Sequence, residues 1–318
     1  MRHAKTREPR DYELARKEIF RAWGFERYSS TARAIEYQFG RRLAPDWHSP
    51  QCLGLFVQAG STAYPSGLSR FLRLWEPFRR LGNPCVVVDN LSSTPPSLPP
   101  GVQFLPGSNA CWEFSGWQEG LNYHLDSGGA VPEWCVCVTS AFVRKRLPDR
   151  FSRFLNPISL GLADQGLIGI FHDMSEEHFP DLAPDEKLLY RGRDMARFAS
   201  TAAFAVSGDF ASRHGFVAVD EQEIESISPA GLDGTDLLSP SADVSMNFRV
   251  YVNEWLQNRW YGGRICDRES RPLLRGKLQA ILNERMLSVR VADAGLGWSS
   301  VGRTNWITGR SKLSSHEA

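Results

Sequence analysis

An aspartate follows directly after a run of apolar, mostly β-branched residues in the segment CVVVD (residues 85–89), and polar residues follow it. Such a run predicts a buried strand, and open α/β sheets present ligand-binding groups at the carboxyl ends of their strands. A carboxylate held there is a fixed acceptor for the amide and hydroxyl hydrogens of a ligand. The alternative is that Asp89 caps the following turn, with Asn90 as an ordinary turn residue.

A second polar segment, PGSNACWEFSGW (residues 106–117), leads from a loop into a predicted helix. The amino terminus of a helix presents free N–H groups and the positive end of the helix dipole, which suits phosphate. Glu113 places a negative charge in the first turn, which opposes a bound anion but is also favourable at a helix start. The alternative is a capped helix whose aromatic face packs into the core.

Alternating strands and helices must position these two segments. The apolar pattern predicts strands at 53–57, 85–89, 102–105 and 134–138, and amphipathic helices at 66–81 and 113–125. A helix that joins two apolar strands is a βαβ unit, so these strands are expected to pair in parallel. Beyond residue 155 the alternation is less regular, with strands expected within 158–171 and at 198–206, and helices at 209–214, 220–228, 243–260 and 270–288.

The predicted fold class is therefore α/β, with a mostly parallel, Rossmann-like sheet flanked by helices. Three parts are expected: a helical extension at residues 1–50, the main domain at 51–290 and a polar tail at 291–318. The formal net charge of +1 gives no electrostatic reason to expect nucleic acid as a partner. Residues 1–42 nevertheless hold eleven Lys or Arg and six Asp or Glu, which favours either peripheral membrane contact or a solvated helix face.

Cysteine usage and hydropathy indicate the cellular compartment in which the protein is expected. The six cysteines form no C-x-x-C pair, and most lie in apolar runs, as small core residues do. No stretch approaches the ~18–20 apolar residues of a membrane span, so we expect a reduced, cytoplasmic protein that reaches any membrane from the inner face. The absence of a P-loop, a G-x-G-x-x-G, a G-x-S-x-G and an H-E-x-x-H motif disfavours kinases, dehydrogenases, α/β-hydrolases and zinc proteases.

The two polar segments together resemble glycosyltransferases of the GT-A type. Residues 85–93 resemble the "VVVDNxS" strand end of family 2 glycosyltransferases, and residues 106–121 are similar to the "N-x-G-x-x-x-x-G-W-x-x-G-L" passage of the rhamnan-synthesis protein F family of bacterial surface polysaccharide synthesis. Cys111 stands where that family usually has glycine. The resemblance implies that the donor, a nucleotide sugar, contacts Asp89, Asn90, Asn109, Glu113, Ser115, Gly116, Thr139, Ser140 and Arg144.

The end of the fourth predicted strand departs from the resembled pattern. Most GT-A enzymes place a D-x-D there, whose carboxylates hold Mg²⁺ or Mn²⁺ against the diphosphate. This chain has Thr139 and Ser140 instead, and no acid between Glu133 and Asp149. Arg144 and its two basic neighbours are cations that can stabilise a departing diphosphate without a metal, or they are a solvated loop. Metal-independent catalysis, a metal bound by acids elsewhere, and a fold without catalysis all stay open.

An inverting transferase also needs a general base near the acceptor hydroxyl. Asp173, after a long apolar run, is the first candidate, and Asp164 is the second. The resemblance thus implies a hexosyl- or deoxyhexosyltransferase that acts on a surface-polysaccharide or lipid-linked glycan acceptor. The alternative is a non-catalytic, glycosyltransferase-like subunit that binds a partner enzyme or a glycan. A third is a nucleotide-binding enzyme of another α/β family.

Overall fold

The computed structural model describes residues 50–60, 64–143, 155, 160, 166–173, 187–232, 234–259 and 263–300. Almost all of the predicted extension at residues 1–50 lies outside this part of the chain. Two site candidates, Arg144 and Asp164, also lie outside it, as do residues 301–318 of the predicted tail.

The described strands and helices alternate in the first half of the chain and then become less regular. The strands are β1 (Cys52–Gln58), β2 (Cys85–Asp89), β3 (Val102–Pro106), β4 (Trp134–Thr139), β5 (Gly166–Asp173), β6 (Leu189–Tyr190), β7 (Arg193–Asp194), β8 (Arg197–Ser207) and β9 (Gly297–Ser300). The α-helices are α1 (Gly67–Arg80), α2 (Trp112–Asp126), α3 (Gly208–His214), α4 (Glu221–Ile227), α5 (Met246–Glu254) and α6 (Arg271–Asp293). A 3₁₀ turn, Ser140–Val143, follows β4, and a π-helical turn, Trp255–Arg259, follows α5.

Seven of these strands form one mixed sheet in the order β3-β2-β1-β4-β8-β5-β9. The pairs β1–β2, β2–β3 and β1–β4 are parallel, as is β5–β9, and β8 runs antiparallel to both of its neighbours. The strands β6 and β7 form a separate hairpin. The prediction of a mostly parallel α/β sheet is confirmed, because β8 alone among the described strands of this sheet reverses direction.

Helices cover both faces of the sheet, as expected for buried parallel strands. On one face, α1 packs Trp75 and Phe78 against β1, and their rings stack with centroids 4.3 Å apart. A Cβ atom at Gly54 would lie 2.9 Å from the Trp75 ring, so glycine lets the indole lie directly on the strand. On the other face, Trp117 of α2 meets Phe204 of β8 edge to face, with centroids 5.0 Å apart. The sheet therefore forms the middle of three layers.

A second apolar cluster lies beside the sheet. Side chains of α4 and α5 and of the β6–β7 hairpin pack there against one side of α6, with Phe248, Val252, Leu278 and Leu282 fully buried. The opposite side of α6 contributes Leu287 to the core on the sheet. This double burial explains why α6, the longest described helix, joins the sheet to the helices that follow it.

Most predicted elements agree with the structure within a few residues, and two boundaries differ. The predicted helix at 243–260 is α-helical only over Met246–Glu254 and continues as the π turn. Residues 291–300, which we assigned to the tail, hold the end of α6 and β9, and β9 pairs with β5 as an edge strand of the sheet. The aromatic contact of Trp298 with Phe171, at 4.5 Å between centroids, helps hold this strand. No helix in the described part of the chain is long and apolar enough to span a membrane.

Candidate functional site

The carboxyl ends of β1, β2 and β4 lie side by side at one edge of the sheet. β1 pairs with β2 on one side and with β4 on the other, so the order of the strands reverses between β1 and β4. Open α/β sheets bind ligands in the crevice outside the strand ends at such a point. Gln58, Asp89 and Thr139 end these three strands. We call this side of the sheet the carboxyl edge.

Asp89 is 4% exposed, and its carboxylate accepts four hydrogen bonds from the protein. Its Oδ1 accepts hydrogen bonds from the backbone N–H groups of Gly60 at 2.9 Å, Leu91 at 3.0 Å and Ser92 at 3.1 Å. Its Oδ2 accepts a hydrogen bond from Gln58 Nε2 at 2.7 Å. A carboxylate offers about four acceptor sites, two on each oxygen, so Oδ1 is saturated and Oδ2 accepts one bond. Asp89 therefore fixes the loops after β1 and β2, which is the turn-capping role; direct contact with a ligand stays a prediction.

Asn90 joins the two segments that the sequence singled out. Its side chain is 8% exposed, and its Nδ2 donates to Asn109 Oδ1 at 3.2 Å and to the Trp112 carbonyl at 2.8 Å. Its Oδ1 is buried without a hydrogen-bond partner. A Cβ atom at Gly107 would lie 2.2 Å from that oxygen, so only glycine leaves room for it. The loop after β2 and the start of α2 are thus held as one unit.

The start of α2 is built by internal contacts. Ser115 Oγ accepts from Cys111 N–H at 3.1 Å and donates to the Trp112 carbonyl at 3.0 Å. Trp112 and Asn109 both adopt positive φ angles, 53° and 56°. A Cβ atom at Gly116 would lie 2.9 Å from Val57, so glycine lets the helix approach β1 closely. Ser115 and Gly116, two predicted donor contacts, are therefore buried, and the exposed Asn109 is more open to a ligand.

The end of β4 carries hydroxyl groups where the resembled enzymes have acids. Thr139 is half-buried and pairs with Val57 of β1. Ser140 is 9% exposed and begins the 3₁₀ turn. A Cβ atom at Gly67, the first residue of α1, would lie 3.1 Å from Ser140 Cβ, so the helix start packs directly on this serine. Thr139 is the more accessible of the two at the carboxyl edge.

A carboxylate reaches the same edge from α6, and sequence analysis missed it. Between the pairs Gly169–Phe204 and Phe171–Ala199 the register shifts, so residues 200–203 of β8 bulge out of the ladder with β5. Glu284 Oε1 accepts a hydrogen bond from the backbone N–H of Thr201, within this bulge, at 3.0 Å. Thr201 lies two residues from Ala203, which pairs with Val138 near the end of β4. Bulges often lie next to active sites, where they redirect side chains.

Glu284 belongs to a group of charges between α2 and α6. Desolvation raises its pKa, and the like charge of Glu113 acts in the same direction, whereas Lys277 opposes both. The Lys277 ammonium lies 4.9 Å from the centroid of the Trp112 ring, a cation–π contact at the start of α2. Glu113, a predicted donor contact, thus belongs to the same group of charges as the Glu284 carboxylate and the Lys277 ammonium. A carboxylate with a raised pKa is suited to accept a proton during catalysis.

Asp173, the first candidate base, ends β5 and pairs through its backbone with Arg197 of β8. Because β5 runs in the same direction as β4, this places Asp173 at the carboxyl edge. The preceding His172 lies 5.4 Å, between ring centroids, from Phe198. Desolvation and then the positive charge of Arg285 lower the pKa of His172.

The described residues do not fit a metal site of the D-x-D kind. Within them, no group of three or more His, Cys, Asp or Glu side chains is arranged to hold an ion. Mg²⁺ and Mn²⁺ bind mainly through carboxylate oxygens, which Thr139 and Ser140 do not supply.

Comparisons with known proteins add little to this geometry. No family model matches the chain, and no curated protein matches it. Among solved structures, the chain is similar to the mannosyltransferase PcManGT from Pyrobaculum calidifontis in complex with GDP-Man and Mn²⁺. The two are 12% identical, the match covers 87% of this chain and 85% of that chain, and the TM-score is 0.31. A likeness this weak assigns no function to the chain.

Proposed function

We propose that the protein is a glycosyltransferase that moves a sugar from a nucleotide-sugar donor to an acceptor hydroxyl. One observation carries this proposal: the two segments that resemble glycosyltransferases meet through the side chain of Asn90, at the carboxyl edge. Residues 85–93 and 106–121 are far enough apart in sequence that the resemblance alone does not require this contact. Their meeting beside the strand reversal gives them the placement that a ligand site of an open α/β sheet has.

The donor would lie across this edge. The loop after β2, fixed by Asp89, would hold the nucleoside part, and the start of α2 would face the diphosphate, since a helix amino terminus favours anions. Among the proposed contacts in the described part of the chain, Asn109 is exposed, and Glu113 and Thr139 are half-buried. The full proposed donor-binding set is Asp89, Asn90, Asn109, Glu113, Ser115, Gly116, Thr139, Ser140 and Arg144.

The transfer would be a direct displacement with inversion. The acceptor oxygen forms a bond to the anomeric carbon, the bond from that carbon to the diphosphate oxygen breaks, and the diphosphate leaves with the electron pair. A carboxylate takes the acceptor proton. Asp173 and Asp164 are the proposed bases, and the structure adds Glu284 as a third, because its raised pKa and its position at the carboxyl edge suit this role.

The nature of the acceptor is the less constrained part of the proposal. The sequence resemblance favours a hexosyl or deoxyhexosyl group transferred to a surface polysaccharide or a lipid-linked glycan. A lipid-linked acceptor would bring the protein to the inner face of a membrane, and the basic residues 1–42 would contact anionic lipid there.

A thermal-shift screen of nucleoside diphosphates and nucleotide sugars, with and without Mn²⁺, tests the proposal. A ligand that binds only the native state raises the melting temperature by mass action, so about millimolar ligand reveals weak donors. We expect one nucleoside diphosphate and its sugar conjugates to raise the melting temperature. In a separate assay, the protein should slowly hydrolyse that nucleotide sugar. A response that requires Mn²⁺ would mean that acids outside the described residues bind a metal. No response to any nucleotide would contradict the proposal.

A second candidate function is a non-catalytic subunit with the same fold. It is favoured by the hydroxyl residues Thr139 and Ser140 at the end of β4 and by the internal pairing of Asp89. Such a protein would bind a partner enzyme or a glycan and would neither hydrolyse nor transfer any donor. Donor hydrolysis by the isolated protein separates the two functions.

A further inference from the structure

Arg285, on α6, is fully buried and lies between two aromatic rings. It is 0% exposed, and its Cζ lies 4.4 Å from the centroid of the Phe198 ring and 4.5 Å from that of Tyr251. Its Nη1 donates to the carbonyl of Met195. The guanidinium thus makes cation–π contacts with both rings. Only the edges of its plane are left for hydrogen bonds.

One of these edges has no partner. Nε and Nη2 are both buried and donate no hydrogen bond, so the side-chain hydrogen bond between Arg285 and Tyr251 involves Nη1. Arg285 forms no ion pair with the described residues. Arginine keeps its proton in proteins, so the charge cannot be shed. A buried charge with unpaired N–H groups costs folding free energy. Such a feature indicates a group whose partner is supplied from elsewhere.

The geometry of the unpaired edge indicates the class of that partner. Nε–H and the neighbouring Nη2–H point the same way, and this fork matches two oxygens of a phosphate or a carboxylate. The nearby acid Glu284 is directed instead to the N–H of Thr201. Among the described residues, no carboxylate occupies the fork.

The position of Arg285 connects it with the carboxyl edge. Phe198, which makes a cation–π contact with the guanidinium, pairs with His172 at the end of β5. The charge of Arg285 also lowers the pKa of His172. Arg285 therefore lies on the side of the sheet where β4 and β5 end, and its neighbour Glu284 hydrogen-bonds to the bulge of β8.

We propose that the Nε–Nη2 edge of Arg285 binds the diphosphate of the donor, a role that rests on the proposed function. During transfer, the diphosphate gains the electron pair of the broken bond, and two N–H donors stabilise this charge. Arg285 thereby supplies the positive charge that a metal supplies in enzymes with a D-x-D motif.

Pyrophosphate titrations of the full-length protein test this assignment, with melting temperature as the readout and chloride at matched ionic strength as the reference. Wild-type protein should be stabilised in proportion to the logarithm of the pyrophosphate concentration. In R285M the apparent dissociation constant should rise by about tenfold or more. Without ligand, R285M should melt at the same or a higher temperature, because an apolar side chain replaces an unpaired buried charge.

Two further variants serve as controls. R290M removes another arginine of α6 that has an unpaired Nη1, but this one lines a separate cavity of about 360 Å³ with Phe210. R290M should retain the pyrophosphate response. R285K keeps the charge and loses the fork, so it should fold and bind pyrophosphate more weakly than wild type.

The outcomes separate this assignment from the proposed function. Unchanged pyrophosphate binding in R285M, or in R285K if R285M does not fold, would overturn the assignment. A lower melting temperature of R285M with an unchanged response would show that Arg285 is structural. A nucleoside diphosphate that stabilises wild type and R285M equally would leave the donor site standing without Arg285. If pyrophosphate stabilises the protein through Arg285 but no nucleotide does, Arg285 binds an anion and the proposed nucleotide-sugar donor is wrong. No response of the wild type to either ligand would overturn both.

Discussion

Gln58 and Asp89 end two neighbouring parallel strands in register, and Gln58 Nε2 donates a hydrogen bond to Asp89 Oδ2 at 2.7 Å. The same carboxylate accepts three backbone N–H groups from the loops that follow the two strands. The pair therefore couples the strand ends to the loops that form the carboxyl edge. A change at Asp89 is expected to affect both stability and ligand binding.

Replacing Asp89 by alanine should lower the free energy of unfolding by about 3 kcal/mol, because four donors lose their acceptor in a buried place. Q58A removes only one of the four bonds and should cost about 1 kcal/mol. Urea unfolding with unchanged m-values measures both. Equal effects of the two variants would show that the backbone bonds to Asp89 contribute little. Loss of nucleotide binding in D89A is informative only under conditions in which the variant is folded.

Gly107 to alanine should separate the loop after β2 from the start of α2. The added Cβ would lie 2.2 Å from Asn90 Oδ1 and 2.8 Å from Val88 Cγ1, which forces Asn90 out of its place. We expect a loss of about 2 kcal/mol from overpacking and weaker binding of any nucleotide that the protein binds. G231A is the matched control, because a Cβ there meets nothing within 4 Å. A G107A variant as stable as G231A would show that Asn90 does not join the two segments.

Glu284 to glutamine should change how stability depends on pH. The pKa of Glu284 is raised in the folded state, so its contribution to stability is full below the unfolded pKa of about 4.3 and is lost as pH rises through the folded pKa. Glutamine keeps an acceptor for Thr201 N–H and carries no charge. E284Q should therefore melt above wild type near neutral pH, with the difference shrinking as the pH falls towards 4.3, while any transfer activity decreases.

E76Q is a control in which the dependence of stability on pH has the opposite sign. Hydrogen bonds from Arg79 and Arg80 lower the pKa of Glu76 to about 2, so its stabilisation is present above the unfolded pKa and is lost as pH falls through the folded one. E76Q should melt slightly below wild type near neutral pH. If E284Q shifted the melting temperature equally at every pH, the raised pKa of Glu284 would be wrong.

The cysteines should be unreactive in the native protein. All six are free and buried, and burial raises the pKa of Cys111 to about 11 and that of Cys135 to about 12. Thiolates are the reactive form, so a disulfide reagent should modify no thiol on the timescale that suffices in denaturant, where all six react. Rapid modification of a native thiol would indicate an opening of the core.

The order of the first strands and helices was predictable, because local patterns determine it. The apolar residues of β2 and the stripe Phe71, Trp75 and Phe78 on α1 need no distant contact to be recognised. The βαβ rule then gives parallel pairing. The strand β9 was missed because its short segment Gly297–Ser300 has no distinct pattern and is defined by pairing with β5.

The roles of Glu284 and Arg285 were not predictable from sequence. Two adjacent charged residues in a helix usually form part of a solvated surface. Arg285 is fully buried against Phe198 and Tyr251, and the half-buried Glu284 bonds to Thr201, which lies far from it in the chain. The same limit applied to Asp89, where the strand pattern predicted the position, but only the folded loops reveal four internal hydrogen bonds.

Hydrogen exchange with and without the most stabilising nucleoside diphosphate tests the central claim, that the nucleotide binds at the carboxyl edge. We predict that ligand slows exchange in peptides that contain the loop after β2 (residues 90–93) and the start of α2 (residues 107–114), because bound ligand restricts their opening. Peptides of α3 (Gly208–His214), at the opposite edge, should exchange at unchanged rates. Protection confined to α3 and the end of α6, with none at residues 90–93 and 107–114, would contradict the claim.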